Sequence, residues 1–393
     1  MHFISKLVGL KKSMPANESR DFETVLVLQG GGSLGAYECG VYKTLQKHKI
    51  QFDIVAGTSI GAINAAIITA SKDDNPAKNL EQFWFDLAER TTPSFLPEGT
   101  RAVLSSMQSS IYGNPRAFAP IWFAPILNFS NLPYLYDITP LKNTLKEYTD
   151  FRKLRDPKNP RLIVTSTDIQ SGKSCIFDSR RDSIDAEHVI ASAGYPFYGI
   201  SWTQIGDRYL WDGTLLNNTP LTEVIDASPR QDKKVYIVNL FPRRQDEIPK
   251  NMMESWHRAR DIMHTDKTDH TVRMSRVISR QLGLIKEMHD IIESAKLDKK
   301  NEEKFALLKL EYHRLACERG AIIKQITHIS RKEDAQFLFE DADFSIATIK
   351  QLIKNGEEDA ENALAPKDKI PNVKINPRKK TLNIEKIQDF RHA

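Results

Sequence analysis

Ile54-Val55-Ala56-Gly57-Thr58-Ser59-Ile60-Gly61-Ala62-Ile63-Asn64-Ala65-Ala66 runs from a short apolar strand through a G-x-S-x-G turn into a helix of small residues. A serine on so sharp a strand-to-helix turn needs glycine at both flanks, because strand and helix pass too close for side chains there. The turn presents the Ser59 hydroxyl at a helix N-terminus, where partial positive charge favours a developing anion. Gly57 and Gly61 support the turn, and Ser59 is the candidate nucleophile.

One βα unit upstream, Gly30-Gly31-Gly32-Ser33-Leu34-Gly35 follows the strand Thr24 to Leu28 and precedes a helix from Ala36 to Lys47. Gly30-x-Gly32-x-x-Gly35 is also a dinucleotide fingerprint, which requires an acid at the end of the second strand. Asp53 stands before that strand, and its end is taken by Ser59, which argues against a nicotinamide or flavin cofactor. The amides of Gly30, Gly31 and Gly32 read better as an oxyanion hole facing Ser59. A base for the serine is also required. Asp212-Gly213 follows the strand-like Asp207 to Trp211 and is a candidate, although Asp-Gly is also a common turn dipeptide. His257, His264 and His270 follow Asp212 in the order of a Ser-Asp-His triad. They fall in a charged, helix-forming stretch that suits solvated histidines.

The order of a Gly-rich loop, G-x-S-x-G and a downstream Asp-Gly resembles the patatin-like phospholipases, particularly bacterial members carrying Gly-Gly-Gly-x-Leu-Gly-Ala-Tyr. Tyr136 to Leu141, Thr165 to Ile169 with Gly172, and Ala191 to Pro196 are similar to further patches of that family, so the resemblance covers roughly Glu23 to Leu240. It implies a catalytic dyad in which Ser59 attacks an acyl carbonyl, Asp212 takes the proton, the glycine-loop amides hold the oxyanion, and Gly35 and Gly213 support the motifs. It implies no metal and no organic cofactor. Two positions depart from the family: Leu34 stands where many members carry Arg or Lys, and Thr214 follows Asp212-Gly213. The first removes a contact for an anionic headgroup.

The expected fold is α/β, a mostly parallel central sheet flanked by helices, with a C-terminal helical module. The expected organisation is an N-terminal segment 1–20, a catalytic domain 21–245, a mainly helical module 246–360 and an extended tail 361–393. In the module, helical runs around Met252 to Ile292 and Asn301 to Glu318 read as a hairpin, Ile322 to Ile329 as a returning strand, and Phe344 to Lys354 as a last helix capped by Asn355-Gly356. The Pro-rich and aromatic stretch Pro93 to Pro133 reads as a loop excursion, either an acyl-binding wall or a satellite core.

The 393 residues carry a net charge of only +5 and no basic stripe interleaved with aromatics, which gives no case for nucleic acid. Cys39, Cys175 and Cys317 have no metal-ligand spacing, and their odd number suits a reducing compartment. Met1 to Lys12 lacks a continuous signal-peptide core and fits either a frayed terminus or an interfacial helix. The expectation is thus a cytoplasmic protein, peripheral at the membrane, acting on carboxylic esters of lipids and able to self-associate through its helical module. The alternatives are a lipid-binding scaffold with an idle site and an acyltransferase sharing the same acyl-enzyme.

Overall fold

The structure is a computed structural model that describes residues 22–121, 132–227, 231–294, 299–318, 321–332 and 340–365. The N-terminal segment 1–20, the aromatic residues Trp122 to Phe129, and the tail beyond 365 lie outside the described residues, as does the side chain of Cys317.

The chain opens with β1 (Glu23–Leu28), α1 (Gly35–Lys47), β2 (Ile54–Thr58), α2 (Ile60–Thr69) and α3 (Pro76–Leu87). It continues through α4 (Glu98–Tyr112), the short β3 (Ala119–Pro120) and β4 (Tyr136–Asp137), α5 (Thr139–Tyr148), β5 (Arg161–Asp168) and β6 (Ser174–Asp178). Next come α6 (Ala186–Ile190), β7 (Thr203–Ile205), β8 (Arg208–Asp212), α7 (Leu221–Asp226) and β9 (Lys233–Asn239). The last elements are α8 (Met252–His264), α9 (Asp269–Ser294), α10 (Lys299–Glu318), β10 (Ile323–Ser330) and α11 (Ile346–Leu364).

The sheet runs β10-β9-β1-β2-β5-β8-β7, and β6 pairs separately with β5. β10, β9, β1, β2 and β5 are mutually parallel, whereas β6 and β8 pair antiparallel with β5. The inner strands β1, β2, β5 and β9 are buried almost along their whole length because helices cover both faces, whereas the edge strand β10 is largely exposed. Val25, Val27, Ile54, Ala56, Val235 and Ile237 pack on Leu221, Val224 and Ile225 of α7, with Val272 of α9 beside them. α2 packs against β1, β2 and β5, with α1 and α3 behind it.

β5 positions the site. Residues 163–165 pair with β2 and β6 at once, so those strands lie on opposite edges; Ser166 and Thr167 pair with β6 and β8. β8 therefore continues the edge where β2 stops. Thr58 lies opposite Thr165 and Asp212 opposite Ser166, which brings the C-terminal ends of β2 and β8 side by side.

Three local expectations are corrected. The excursion 93–133 contains the 15-residue α4, whose buried side is the small Ala102, Ser105, Ser106 and Ser109, while its apolar residues Val103, Leu104, Met107 and Ile111 are exposed. The helical run from Met252 is broken at Thr265 into α8 and α9. Gly356 is not a C-cap but lies inside α11, buried where a Cβ would stand 2.1 Å from the Tyr37 carbonyl oxygen. Gly40 on α1 answers it, with a Cβ position 1.9 Å from the Ile353 carbonyl oxygen. Two helices crossing this closely require both glycines. The described residues through Ala363 form one compact unit, to which the stretch 246–360 gives β10 and α11 as well as its helical hairpin.

Candidate active site

Ser59 sits between β2 and α2 with φ 56°, a left-handed conformation that side-chain-bearing residues rarely hold. The crossing enforces it. A Cβ on Gly57 would lie 2.2 Å from the Gly61 carbonyl oxygen, and one on Gly61 2.6 Å from those of Leu28 and Gln29. Ser59 donates its backbone N–H to Ser192 Oγ at 2.8 Å, and the Ser192 hydroxyl donates to the Thr165 carbonyl at 2.6 Å. The strained turn is thus pinned to β5. The Ser59 hydroxyl donates to Asp212 Oδ2 at 2.6 Å.

Asp212 is buried, and its Oδ1 accepts the Thr214 N–H at 2.8 Å. Its backbone is fixed by Thr167 Oγ1, which donates to its carbonyl, and by the Gly194 carbonyl, which accepts its N–H. Gly213 is required because a Cβ there would meet the Thr165 carbonyl oxygen at 2.4 Å. Burial pushes the carboxyl up from 3.8 to about 6, and the Ser59 hydroxyl and Thr214 amide hold it from rising further. A hydroxyl donating to a carboxylate that titrates near neutrality has the chemistry of a nucleophile and its base.

The glycine loop corrects one expectation. The Gly30 N–H is consumed by Asn218 Oδ1 at 2.8 Å, so it is not available to an oxyanion. Among the described residues, the amides of Gly31 and Gly32 have no acceptor, and both glycines line the cavity with Ser59. Gly30 is still obligatory, since a Cβ there would fall 2.7 Å from Ser59 Cβ. Gly35 lies under Ile60 and Trp84 and serves packing. Gly32, at φ +56°, lies against the Asp341 carbonyl oxygen, and Ser33 Oγ donates to the Glu340 carbonyl at 2.9 Å. Residues 340–342 therefore brace the loop from behind.

That brace is held by buried charge. Arg260 Nη2 lies 2.8 Å from Glu340 and 2.9 Å from both Asp261 and His257, while Nη1 reaches Asp341 at 2.9 Å. Arg331 adds a second guanidinium on Glu340 at 2.9 Å. His257, Asp261 and Glu340 have donor atoms close enough to share a cation. The Arg260 guanidinium already supplies that positive charge, so the donor set does not fit a metal.

The histidines differ from expectation in burial. His257 and His264 are both buried, and only His270 is a solvated helix residue. His264 lines the cavity, where its Nε2 meets the Tyr195 hydroxyl at 3.2 Å; burial pushes it down to about 4, so it is neutral at pH 7. Asp212, not a histidine, is the partner of Ser59. Asn218 also donates to the His264 carbonyl at 2.7 Å, tying the end of α8 to the glycine loop. The cavity holds about 650 Å³ between the glycine loop, α4 and the turn at 196–198. Its lining includes Met107, Ile111, Phe118, Leu135 and Ile138, and among the described residues no lysine or arginine. Leu34 is buried and contributes no charge.

Sequence reasoning missed the work of Ser192, Asn218 and 340–342. Ser192 lies in the patch 191–196 already singled out, and Asn218 six residues beyond Asp212, but nothing local marks the brace.

A sequence model described as "Patatin-like phospholipase" matches residues 26–225. A triacylglycerol lipase, SDP1L, from Arabidopsis thaliana is 49% identical over 45 residues, covering 12% of this chain and 6% of its own. Lysophospholipase nte1 of Aspergillus terreus is 47% identical over 51 residues, covering 13% and 3%. The matched stretches thus span only a small fraction of these relatives' own length. Among solved structures, VipD from Legionella pneumophila aligns over 88% of this chain and 67% of its own, at 13% identity and a TM-score of 0.37.

Proposed function

Because the chain belongs to the patatin-like phospholipase family, we propose that it is a serine acyl hydrolase cleaving carboxylic esters of lipids through Ser59 and Asp212. The observation that carries this reading is the 2.6 Å hydrogen bond from the Ser59 hydroxyl to a buried carboxylate. Ser59 Oγ attacks the ester carbonyl while its proton passes to Asp212, and the Gly31 and Gly32 amides receive the oxyanion. Collapse of the tetrahedral intermediate breaks the ester bond, and Asp212 returns the proton to the departing alkoxide. Water then attacks the acyl-enzyme, losing its proton to Asp212, and the fatty acid leaves as Ser59 recovers its hydrogen. The apolar cavity suits an acyl chain, and the absence of lysine and arginine among its described lining residues suits recognition by the chain, not by a phosphorylated headgroup.

A fluorophosphonate, which phosphonylates activated serines, tests the pair. It is expected to label folded wild type but neither Ser59→Ala nor Asp212→Asn, with hydrolysis of a medium-chain nitrophenyl ester following the same pattern. Equal labelling of Ser59→Ala would sink the reading.

A further inference from the structure

α8 is built inside out. Its inward face carries His257, Arg260, Asp261 and His264, all engaged with the brace or the cavity. Its outward side carries Met252, Met253, Trp256, Ile262 and Met263, each between 50% and 67% exposed. Met252, Trp256, Ala259 and Met263 recur at i, i+4, i+7 and i+11, so they form one line along the helix. A water-facing helix ordinarily turns its polar side outward, and so many large apolar side chains in the open carry a hydration cost with no return in the isolated molecule.

We propose that the outer face of α8 docks on a lipid layer and sets the mouth of the cavity against it, an inference that rests on the lipid-ester reading above. Three observations favour a lipid layer over a protein partner. The cavity itself opens on exposed apolar side chains, Met107, Ile111, Leu135 and Phe197, and α8 ends at His264, whose inner side lines the same cavity. The stripe consists of flexible methionines around one tryptophan, side chains that enter an acyl layer without needing a shaped receptor. Exposed Lys250 and Lys267 bracket the helix at its two ends, the first beside Glu247 at 2.6 Å and the second over the Met263 carbonyl at 2.9 Å, which sets both ammonium groups at the level of the headgroups once the stripe between them enters the acyl region. The inner face then has a reason to be polar. Arg260 grips Glu340 and Asp341, and those residues back Gly32, so the docked helix and the glycine loop are parts of one clamp.

The test uses the full chain, Trp256→Glu/Met263→Glu, and Trp256→Phe. Each is floated with phosphatidylcholine vesicles and with phosphatidylcholine–phosphatidylglycerol vesicles, and each is assayed on a soluble short-chain ester. The wild type and Trp256→Phe are expected to float. The double variant should bind vesicles about tenfold more weakly or worse, given the apolar area replaced, while its soluble-ester turnover stays within about twofold of wild type because neither side chain touches the dyad. Undiminished flotation of the double variant, or no flotation of wild type, overturns the proposal. So does a wild-type dimer in light scattering that the double variant dissolves without any vesicle binding, since the face would then join two copies. Flotation that depends on Trp256 and Met263 without ester turnover in wild type would leave the docking surface standing and remove the hydrolase reading instead.

Discussion

Asp212 holds the acid-base behaviour of the site in one side chain. Its carboxyl titrates at about 6 in the folded chain against 3.8 as a free side chain. kcat/KM for a soluble ester should therefore fall as pH drops through about 6, with one protonation, and this limb should be absent from the residual activity of Asp212→Asn. That substitution should lower turnover by roughly 10²–10⁴-fold, the range for losing a general base. Stability responds with the opposite sign to activity. The folded state prefers the protonated carboxyl, so the cost of ionising Asp212 is absent below pH 3.8, grows as pH rises, and is complete above about 6. Asp212→Asn should accordingly be more stable than wild type at pH 8, by on the order of 2–3 kcal/mol, with the gain vanishing near pH 4. Urea melts at the two pH values would show it, and an equal gain at both would refute the assignment.

At the scale of elements, the elbow and its glycines were legible because their chemistry is local: a strand, a tight turn and a helix in sequence leave glycines at fixed offsets. Gly61→Ala brings a methyl to 2.6 Å from two carbonyl oxygens and is expected to cost at least about 3 kcal/mol in chemical denaturation. The pairing of Ser59 with Asp212 was less legible, because it depends on β8 taking over the β5 edge where β2 ends. Only the family resemblance pointed to it. Gly30 shows another limit. The composition of the glycine loop is visible in sequence, but which amide is already bonded depends on Asn218, 188 residues away. Asn218→Ala frees that amide and unties α8 from the loop, so kcat should fall with little change in KM. A rise in KM with kcat unchanged would instead assign Asn218 to substrate binding. Gly356 misled for a related reason: glycine ends helices and also lets them touch, and the choice is made by α1, more than three hundred residues earlier in the chain.

Across the whole molecule, the family match ends at residue 225, but the sheet does not. β9 pairs with β1 and β10 covers β9, so a chain stopped at 225 would expose the β1 edge over its full length. Such a fragment is expected to aggregate or to bind a hydrophobic dye, whereas the full chain should show one cooperative transition. A soluble, cooperatively folding 1–225 fragment would show that the later strands are accessory.

The brace of residues 340–342 behind Gly32 also orders events in time. A ribosome delivers the chain from its N-terminus, so the glycine loop, Ser59 and Asp212 emerge while β9, β10 and α8 to α11 are still unmade. During that interval the loop lacks the segment it rests against and Arg260 lacks the carboxylates it grips. Nascent chains still on the ribosome should therefore resist the fluorophosphonate that labels the released protein. A cell translating this message would then carry no probe-reactive Ser59 on its polysomes, however many copies of that serine had already been synthesised.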